Sequence, residues 1–264
     1  MLSLSFLKGS GVVAANLSND FRREQTVIAE RVTYEMLAVF GALNFKALDM
    51  SSPGFIEAAV SVAERGHRQS VALGGDMYLS MRRDAGVMGN FRVDEAVFDP
   101  TQLRRDLVAL GPVAAKKLLS RGERIPDAAS RVFTLTSGRV SKSSIAGARD
   151  TISRSTVSDD RAVAYARQVG SNPCDFCSIL SANTYKSAYA AMYSAGGRKR
   201  AKAPQPLGAT FHDHCKCTLV TLFGGELPDP AKGEQEFLKS WVGASKQGVD
   251  FRTFAETAGV GLAV

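Results

Sequence analysis

All four cysteines and two of the three histidines of this 264-residue chain lie in two short clusters. Cys174 and Cys177 form a C-x-x-C pair, and a second cluster, residues 212–217, follows after a gap of 34 residues. A C-x-x-C pair lets two thiolates bind one ion from a tight turn, and thiolate and imidazole ligands suit tetrahedral zinc. The spacing therefore predicts a structural Zn²⁺ site that ties the two clusters together.

The second cluster adds His212, Cys215 and Cys217, so five good donors compete for about four coordination positions. Such a set has no obvious open position for water or substrate, which favours a structural role over catalysis. The spacing leaves open which four of the five bind. His214 would alternate away from Cys215 and Cys217 in an extended segment, so we expect it outside the ligand set.

Three other interpretations of the cysteines fit the sequence less well. Disulfides are disfavoured because the first 17 residues lack the charged start and apolar core of a secretory leader, and a cytosolic protein keeps its thiols reduced. A redox C-x-x-C would follow a strand of a βαβ unit, whereas this one follows a polar helical pattern. Pro173 and the C-x-x-C match half of the zinc deaminase signature, but the upstream histidine, His67, has no glutamate two residues later.

The net charge of +7 is concentrated in one part of the chain. Residues 1–130 carry 16 basic and 15 acidic residues, whereas residues 139–217 carry 12 basic and 5 acidic ones. The densest cluster of basic residues in this stretch would attract phosphate backbones without regard to base sequence. The alternative is that it is a solvated loop without a partner. No aromatic residue is interleaved, which argues against base-specific reading of single strands. This candidate nucleic-acid-binding loop, flanked by glycine and proline, contains Arg198, Lys199, Arg200 and Lys202.

Hydrophobic periodicity predicts that the first 170 residues are mostly helical. Apolar residues recur every three or four positions over 21–43, and a second helix is expected from Pro53 to about residue 83, with a possible break at Gly74. Asp99 starts another helix, with Gln102 placed to close a capping box, and a bend is expected at residues 111–112.

The second half of the chain has a different composition. Residues 125–170 are rich in Ser, Arg and Ala, which is typical of thin helices that lie on another element, and a last helix is expected from Ser158 to Gly170. Residues 217–223 form the best strand pattern, and a final helix is expected at about 233–247. No apolar run approaches the roughly 18 residues that a membrane span needs.

The residues around the two clusters resemble the MuF-like minor head proteins of tailed bacteriophages, which are relatives of the phage Mu head morphogenesis protein. The resemblance covers about residues 145–223 and rests on a helix ending at Gly170, the C-x-x-C pair, and an H-x-x-C-x-C motif from His212 to Cys217 before a strand. This sequence departs from the pattern before Tyr185, where relatives tend to have a glycine-rich turn. Some relatives carry a fused toxin domain, and we expect none here, since only about 40 residues follow the predicted strand.

The predicted fold is mainly α with a small zinc-stapled α+β module. Three regions are expected: a helical N-terminal region over 1–125, the MuF-like zinc module over 126–223, and a linker with a helical tail over 224–264. The resemblance implies a non-enzymatic protein of the virion, inside the capsid after assembly in the host cytoplasm. It would contact the portal protein, capsid or scaffold proteins and packaged double-stranded DNA. The alternative is a zinc-dependent nuclease, although the carboxylates that Mg²⁺ chemistry would need are missing near His212.

Overall fold

The computed structural model describes residues 7–162, 164–168, 184–185, 217–223 and 247–248. These residues are mainly helical, as predicted. The helices are α1 (Leu7–Phe40), α2 (Leu48–Asp84), α3 (Pro100–Val108), α4 (Ala114–Ser120) and α5 (Ile125–Ser158). A π-helical turn, Ala109–Val113, joins α3 to α4. The described strands are β1 (Ala164–Gln168), β2 (Thr184–Tyr185) and β3 (Thr218–Leu222). No described helix combines the length and the apolar character that crossing a bilayer requires.

The main core lies between α1, α2 and α5. The predicted apolar face of α1 is buried there, with Val32 at 2% exposure and Met36 at 0%. Phe55 of α2 and Val140 of α5 are also at 0% and belong to the same cluster. Val132, Val140 and Ile145 of α5 also belong to this core, so α5 packs as part of the helical body. The division into three regions stays a prediction.

The backbones of α2 and α5 come unusually close because glycines face the other helix. A Cβ atom added at Gly147 would lie 2.6 Å from the His67 carbonyl oxygen, and one at Gly74 would lie 2.6 Å from the Ala148 Cα atom. Gly66 is equally crowded, since its Cβ would lie 2.7 Å from the Ser144 Cβ atom. The predicted break at Gly74 is therefore wrong: α2 runs through it, and the glycine provides space for α5.

Two other helix predictions differ in detail from the structure. α2 begins at Leu48, so Pro53 lies inside the helix and not at its first position. Asp99 caps α3 as expected, with its Oδ1 atom accepting from the Thr101 amide at 2.9 Å. Gln102, however, donates to Asp106 Oδ1 at 2.9 Å and does not close a capping box. The bend expected at residues 111–112 is present as the π-helical turn.

The helix predicted from Ser158 to Gly170 is wrong. α5 ends at Ser158, and residues 164–168 form β1, which pairs antiparallel with β3 and with β2 in the sheet order β2-β1-β3. Asp159 Oδ1 accepts from the Arg161 amide at 3.0 Å, the local bond that a helix cap also makes. The same hydrogen bond is typical of Asx turns, and here it stabilises the turn that leads from α5 into the sheet. The strand predicted at 217–223 is confirmed as β3.

Asp159 also ties this turn to α2. Its Oδ2 atom accepts from Arg82 Nε at 2.9 Å and from the Tyr78 hydroxyl at 3.0 Å, and its side chain is only 3% exposed. Burial disfavours the carboxylate, but the Arg161 amide, the Arg82 guanidinium and the Tyr78 hydroxyl outweigh it and hold the pKa of Asp159 below its ordinary value. Burial, followed by the interaction with Asp159, raises the pKa of Tyr78.

The close approach of α2 and α5 at their glycines gives the first prediction. Gly147→Ala should lower the free energy of unfolding by about 1–3 kcal/mol, since the nearest obstacle is a backbone oxygen that no rotamer change can move. Gly54→Ala in α2, where nothing lies within 4 Å of the added Cβ, should instead be neutral or stabilise by up to about 1 kcal/mol. Urea unfolding of both variants measures the difference, and equal stability of the two would contradict the close approach.

Asp159 gives the second prediction. Asp159→Asn should destabilise the protein by about 3 kcal/mol near neutral pH, because the variant leaves the buried Arg82 without its carboxylate. A carboxylate with a depressed pKa stabilises the fold above its unfolded pKa of about 4, and this contribution is lost as pH falls through the folded value. The difference in the free energy of unfolding between wild type and variant, measured by urea unfolding, should therefore be smaller at about pH 3 than near neutral pH. Asp160→Asn, at the exposed neighbour, is the control and should show neither effect.

Candidate functional site

Only one of the predicted zinc ligands, Cys217, lies within the described part of the chain. Cys174, Cys177, His212 and Cys215 fall outside it, as do Arg198, Lys199, Arg200 and Lys202 of the basic loop. Their geometry therefore stays a prediction. Among the described residues, no group of three or more His, Cys, Asp or Glu side chains is close enough to hold a metal ion.

Cys217 lies directly before β3 and is buried, at 3% exposure. It belongs to a second apolar cluster, in which residues of α1, α2 and α5 meet β3. Leu219 of β3 is in the same cluster, and Thr221 Oγ1 lies 2.6 Å from Thr156 Oγ1 of α5. The strand following the second cysteine cluster is thus packed firmly on the helical body. The helical members of the cluster are Phe21, Met77, Tyr78, Met81, Ala148 and Ile152.

Two arginines from different helices converge on Cys217. Arg149 of α5 donates from Nε to the Cys217 carbonyl oxygen at 3.2 Å, and its side chain is 1% exposed. Arg22 of α1 interacts electrostatically with the Cys217 thiol, although burial has the larger effect and lowers the pKa of Arg22. A buried cation requires an anionic or hydrogen-bonding neighbour, and the Cys217 carbonyl oxygen is such a neighbour for Arg149.

The described part of the basic stretch, residues 139–162, is mostly occupied by interactions within the protein. Arg139 pairs with Asp106 at 3.5 Å, and Arg154 pairs with Asp94 at 2.9 Å. Arg149 is buried. These three cations therefore stabilise the helical body, and DNA binding would depend chiefly on the basic residues between 163 and 216.

A cavity of about 720 Å³ lies between α2, α3, α5 and the connecting segment, residues 85–99. The connecting segment is fixed to α5 by backbone donors: the Asp94 amide bonds Ser155 Oγ at 3.1 Å, and the Ala96 amide bonds Thr151 Oγ1 at 3.0 Å. Its lining combines apolar side chains with seven charged ones. The charged ones are Asp99, Arg105, Asp106, Arg139, Lys142, Asp150 and Arg154.

Two titratable groups of this cavity are shifted by burial. Burial raises the pKa of Asp150 to about 7, against the opposing effect of Arg149 and Arg154. Burial lowers the pKa of His67, against the opposing effect of Glu64, and the His67 ring lies 5.2 Å from the Phe98 ring. His67, the upstream histidine of the incomplete deaminase signature, is thus a neutral buried imidazole near neutral pH.

The sequence analysis did not identify Arg149, Asp150 or the cavity. A signal was present in the sequence, because Arg149 and Asp150 lie next to small residues that recur at helical spacing: Ser141, Ser144, Ala148 and Thr151. Small residues at every third or fourth position indicate a helix face packed closely on a neighbour. Charged residues within such a face are costly to bury, which makes them candidates for a specific role.

The chain matches the family model described as VG15 protein over residues 13–242. No curated protein and no solved structure is significantly similar to it. The match includes the helical body, both cysteine clusters and β3. A match over most of the chain establishes its family: the protein belongs to the VG15 protein family, a family of phage proteins.

Proposed function

We propose that this phage protein is a minor head protein whose structural zinc centre draws on Cys174, Cys177, His212, Cys215 and Cys217. Its role would be architectural: it would sit inside the capsid, near the portal protein and the packaged DNA, and contact capsid or scaffold proteins during assembly. The observation that carries the proposal is the placement of Cys217, which is buried between the helical body and β3.

A zinc centre at this position would have a clear mechanical role. Cys217 precedes a strand that is packed on α2 and α5, so a metal bound through it would be attached to the helical body. The residues between the two clusters would then be closed into a loop at the metal. Structural zinc contributes on the order of 10 kcal/mol to a small module, more than short apolar segments supply.

The charges around Cys217 support a thiolate-rich centre. Zn²⁺ with three thiolates and one imidazole carries a net charge of about −1, and with four thiolates about −2. Arg149, through the Cys217 carbonyl, and Arg22, near the thiol, place positive charge beside such a centre. The buried guanidinium group of Arg149 and the partly buried one of Arg22 offset the charge that burial would otherwise disfavour.

Several features favour an architectural role over catalysis. Five candidate donors exceed the four positions of tetrahedral zinc, so the centre would be closed to substrate. The basic excess of residues 139–217 suits a surface near packaged DNA, and its sequence-independent attraction to phosphates requires no reading of bases. Membership of a phage protein family agrees with this role.

Zinc content tests the centre directly. Protein purified without chelator should contain about one Zn²⁺ per chain, and Cys174→Ser or Cys177→Ser should lose the metal and much of the stability of residues 174–223. Elemental analysis and thermal unfolding are the measurements.

His214→Ala is the matched control for the cysteine variants. It should keep both zinc and stability, because His214 is expected outside the ligand set. A natively folded, metal-free protein with four titratable thiols would refute the zinc centre, while equal damage from both kinds of variant would make His214 a ligand. Hydrolysis of DNA by the zinc-loaded protein would favour a nuclease instead.

Binding to duplex DNA tests the basic loop. If Arg198, Lys199, Arg200 and Lys202 contact phosphates, binding should weaken steeply with salt, with a log–log slope of about −0.9 for each neutralised phosphate. Changing all four to Gln should flatten this slope by up to about 3–4 units without loss of zinc. The affinity for duplex DNA over a salt series is the measurement.

A control variant removes the same charge elsewhere. Four exposed cations of the helical body, changed together to Gln, should leave the slope nearly unchanged: Arg23, Arg83, Lys117 and Arg121. An unchanged slope in the loop variant would exclude DNA as the partner of the loop and favour an acidic surface of the portal protein.

A further inference from the structure

We propose that the tail helix, predicted at about 233–247, docks into a cleft between α1 and α5 of the same chain. The cleft lies in the described helical body, whereas residues 224–246 lie outside the described part of the chain. The docking is therefore inferred from the chemistry of the cleft and from the sequence of the tail. None of the predicted zinc ligands takes part in it.

The cleft follows α1 for several turns. Its volume is about 400 Å³, and its lining includes eight positions of α1 that recur at helical spacing between Arg22 and Leu37. α5 contributes Ser141 and Ile145. A cleft that runs along a helix in this way suits a second helix lying beside it.

The polar side chains of the lining are largely engaged within the helical body. The hydroxyl groups of Thr26 and Thr33 each donate to the carbonyl four residues earlier in α1, at 2.8 Å, so the threonines offer their methyl groups to a partner. Gln25 is buried and donates from Nε2 to the Ile145 carbonyl at 3.5 Å. These groups do not require a polar ligand, and the cleft favours apolar side chains.

The cleft gives α1 a second apolar face. The first face, with Val32 and Met36, is buried in the main core. Tyr34 and Leu37, which line the cleft, are 75% and 56% exposed. Large exposed side chains beside an apolar cleft are typical of a surface that receives an amphipathic helix.

The tail has a face that matches the cleft. At about 100° per residue its large apolar residues fall within an arc of about 140°, and its lysines and glutamines lie outside this arc. Such a helix needs a partner, because its apolar side chains would otherwise stay in water. The apolar residues are Phe237, Leu238, Trp241 and Val242.

The cleft and the tail helix also agree in length. Arg22 and Leu37 are separated by a rise of about 22 Å along α1, and the predicted tail helix has nearly the same rise. The expected end of the tail helix agrees with the structure at Gly248, which has a φ of 80°. This left-handed conformation is common for the glycine that follows the last turn of a helix.

The tail starts close to one end of the cleft. Phe223 packs on Tyr78 of α2 with ring centroids 5.6 Å apart, and Tyr78 shares an apolar cluster with Phe21 of α1. Phe21 is next to Arg22, at the end of the cleft. Residues 224–232 can span up to about 30 Å, so the tail helix can begin at this end and run parallel to α1.

The charges favour the same direction. Glu234 lies on the apolar side of the tail helix, one turn before Phe237, and in the parallel arrangement it approaches Arg22. In the opposite direction it would lie near Leu37, in the apolar part of the cleft. Arg22 also bonds Asn19 and interacts with Cys217, so its charge favours a direction and is not the main source of affinity.

Trp241 provides the measurement, because it is the only tryptophan of the chain. In the full-length protein, docking should shift its fluorescence emission to the blue and shield it from quenching by acrylamide. Leu37→Asp places a charge in the cleft and should shift the docking equilibrium by at least about tenfold toward the undocked state, the factor for the loss of one buried leucine. The emission should then move to the red and the quenching should increase, while circular dichroism shows that the helical body is retained.

Matched controls exist on both sides of the interface. Val27→Asp changes a residue of α1 that is 54% exposed but does not line the cleft, and it should leave the emission unchanged. On the tail, Val242→Asp should act like Leu37→Asp, whereas Ser240→Asp, on the polar side, should not. Combining Leu37→Asp with Val242→Asp should add little, because either change alone already releases the tail.

Three outcomes would overturn the docking. The first is a wild-type Trp241 that acrylamide quenches as freely as tryptophan in water. The second is an equal effect of Leu37→Asp and Val27→Asp, which would reduce the change to general destabilisation. The third is shielding that disappears on dilution together with a dimer in analytical ultracentrifugation, which would assign the cleft to the tail of a second copy. Zinc content should be the same in all these variants, so a failure here is distinct from a failure of the zinc centre.

Discussion

The close approach of the α2 and α5 backbones is the constraint on which the other elements depend. At Gly66, Gly74 and Gly147 no Cβ atom separates the helices, so their spacing and their register are fixed together. α1 then packs across both helices and buries Val32 and Met36 against them. A shift of one residue in this register would place side chains where there is room only for glycine hydrogens.

Such close packing explains how a helix as polar as α5 can be buried. Its hydroxyl groups are satisfied locally, as when Ser144 Oγ donates to the Val140 carbonyl at 2.9 Å. Ser70 of α2 also bridges the two helices, because its Oγ atom donates to the Ile145 carbonyl and accepts from the Ala148 amide. The interface between α2 and α5 is thus stabilised by close packing and satisfied hydrogen bonds, and less by the burial of large apolar side chains. The same helix positions Arg149 beside Cys217 and Asp150 beside the cavity.

The sequence predicted the elements that have periodic apolar faces or local caps. The helical body, the cap at Asp99, the bend at residues 111–112 and the strand before Phe223 all follow from such short-range patterns. Gly74 was misinterpreted because its effect is tertiary: the residue looks like a breaker until the approaching helix is known. The segment after Ser158 was wrongly predicted as a helix because the hydrogen bond that Asp159 accepts occurs both in helix caps and in Asx turns.

The candidate site was predicted unevenly for a related reason. Cysteine spacing is a chemical signal that depends on few residues, so Cys217 could be selected without any knowledge of the fold. Arg149 and Asp150 acquire their character from burial, and burial depends on how α5 packs along its length. The sequence alone does not show which of the charged residues in α5 will be buried in the folded protein.

The continuity of α5 has a consequence for how the protein opens. Its 34 residues span about 50 Å as one uninterrupted helix, from the turn after α4 to the first turn before the sheet. Its buried amides lie against α2 along most of this length, so none of its central turns can separate alone. Amide hydrogen exchange there would require global unfolding, whereas the connecting segment, held by a few side-chain acceptors, could detach in a local fluctuation. The central amides of the helix would therefore exchange last, and the amides of the connecting segment would exchange earlier.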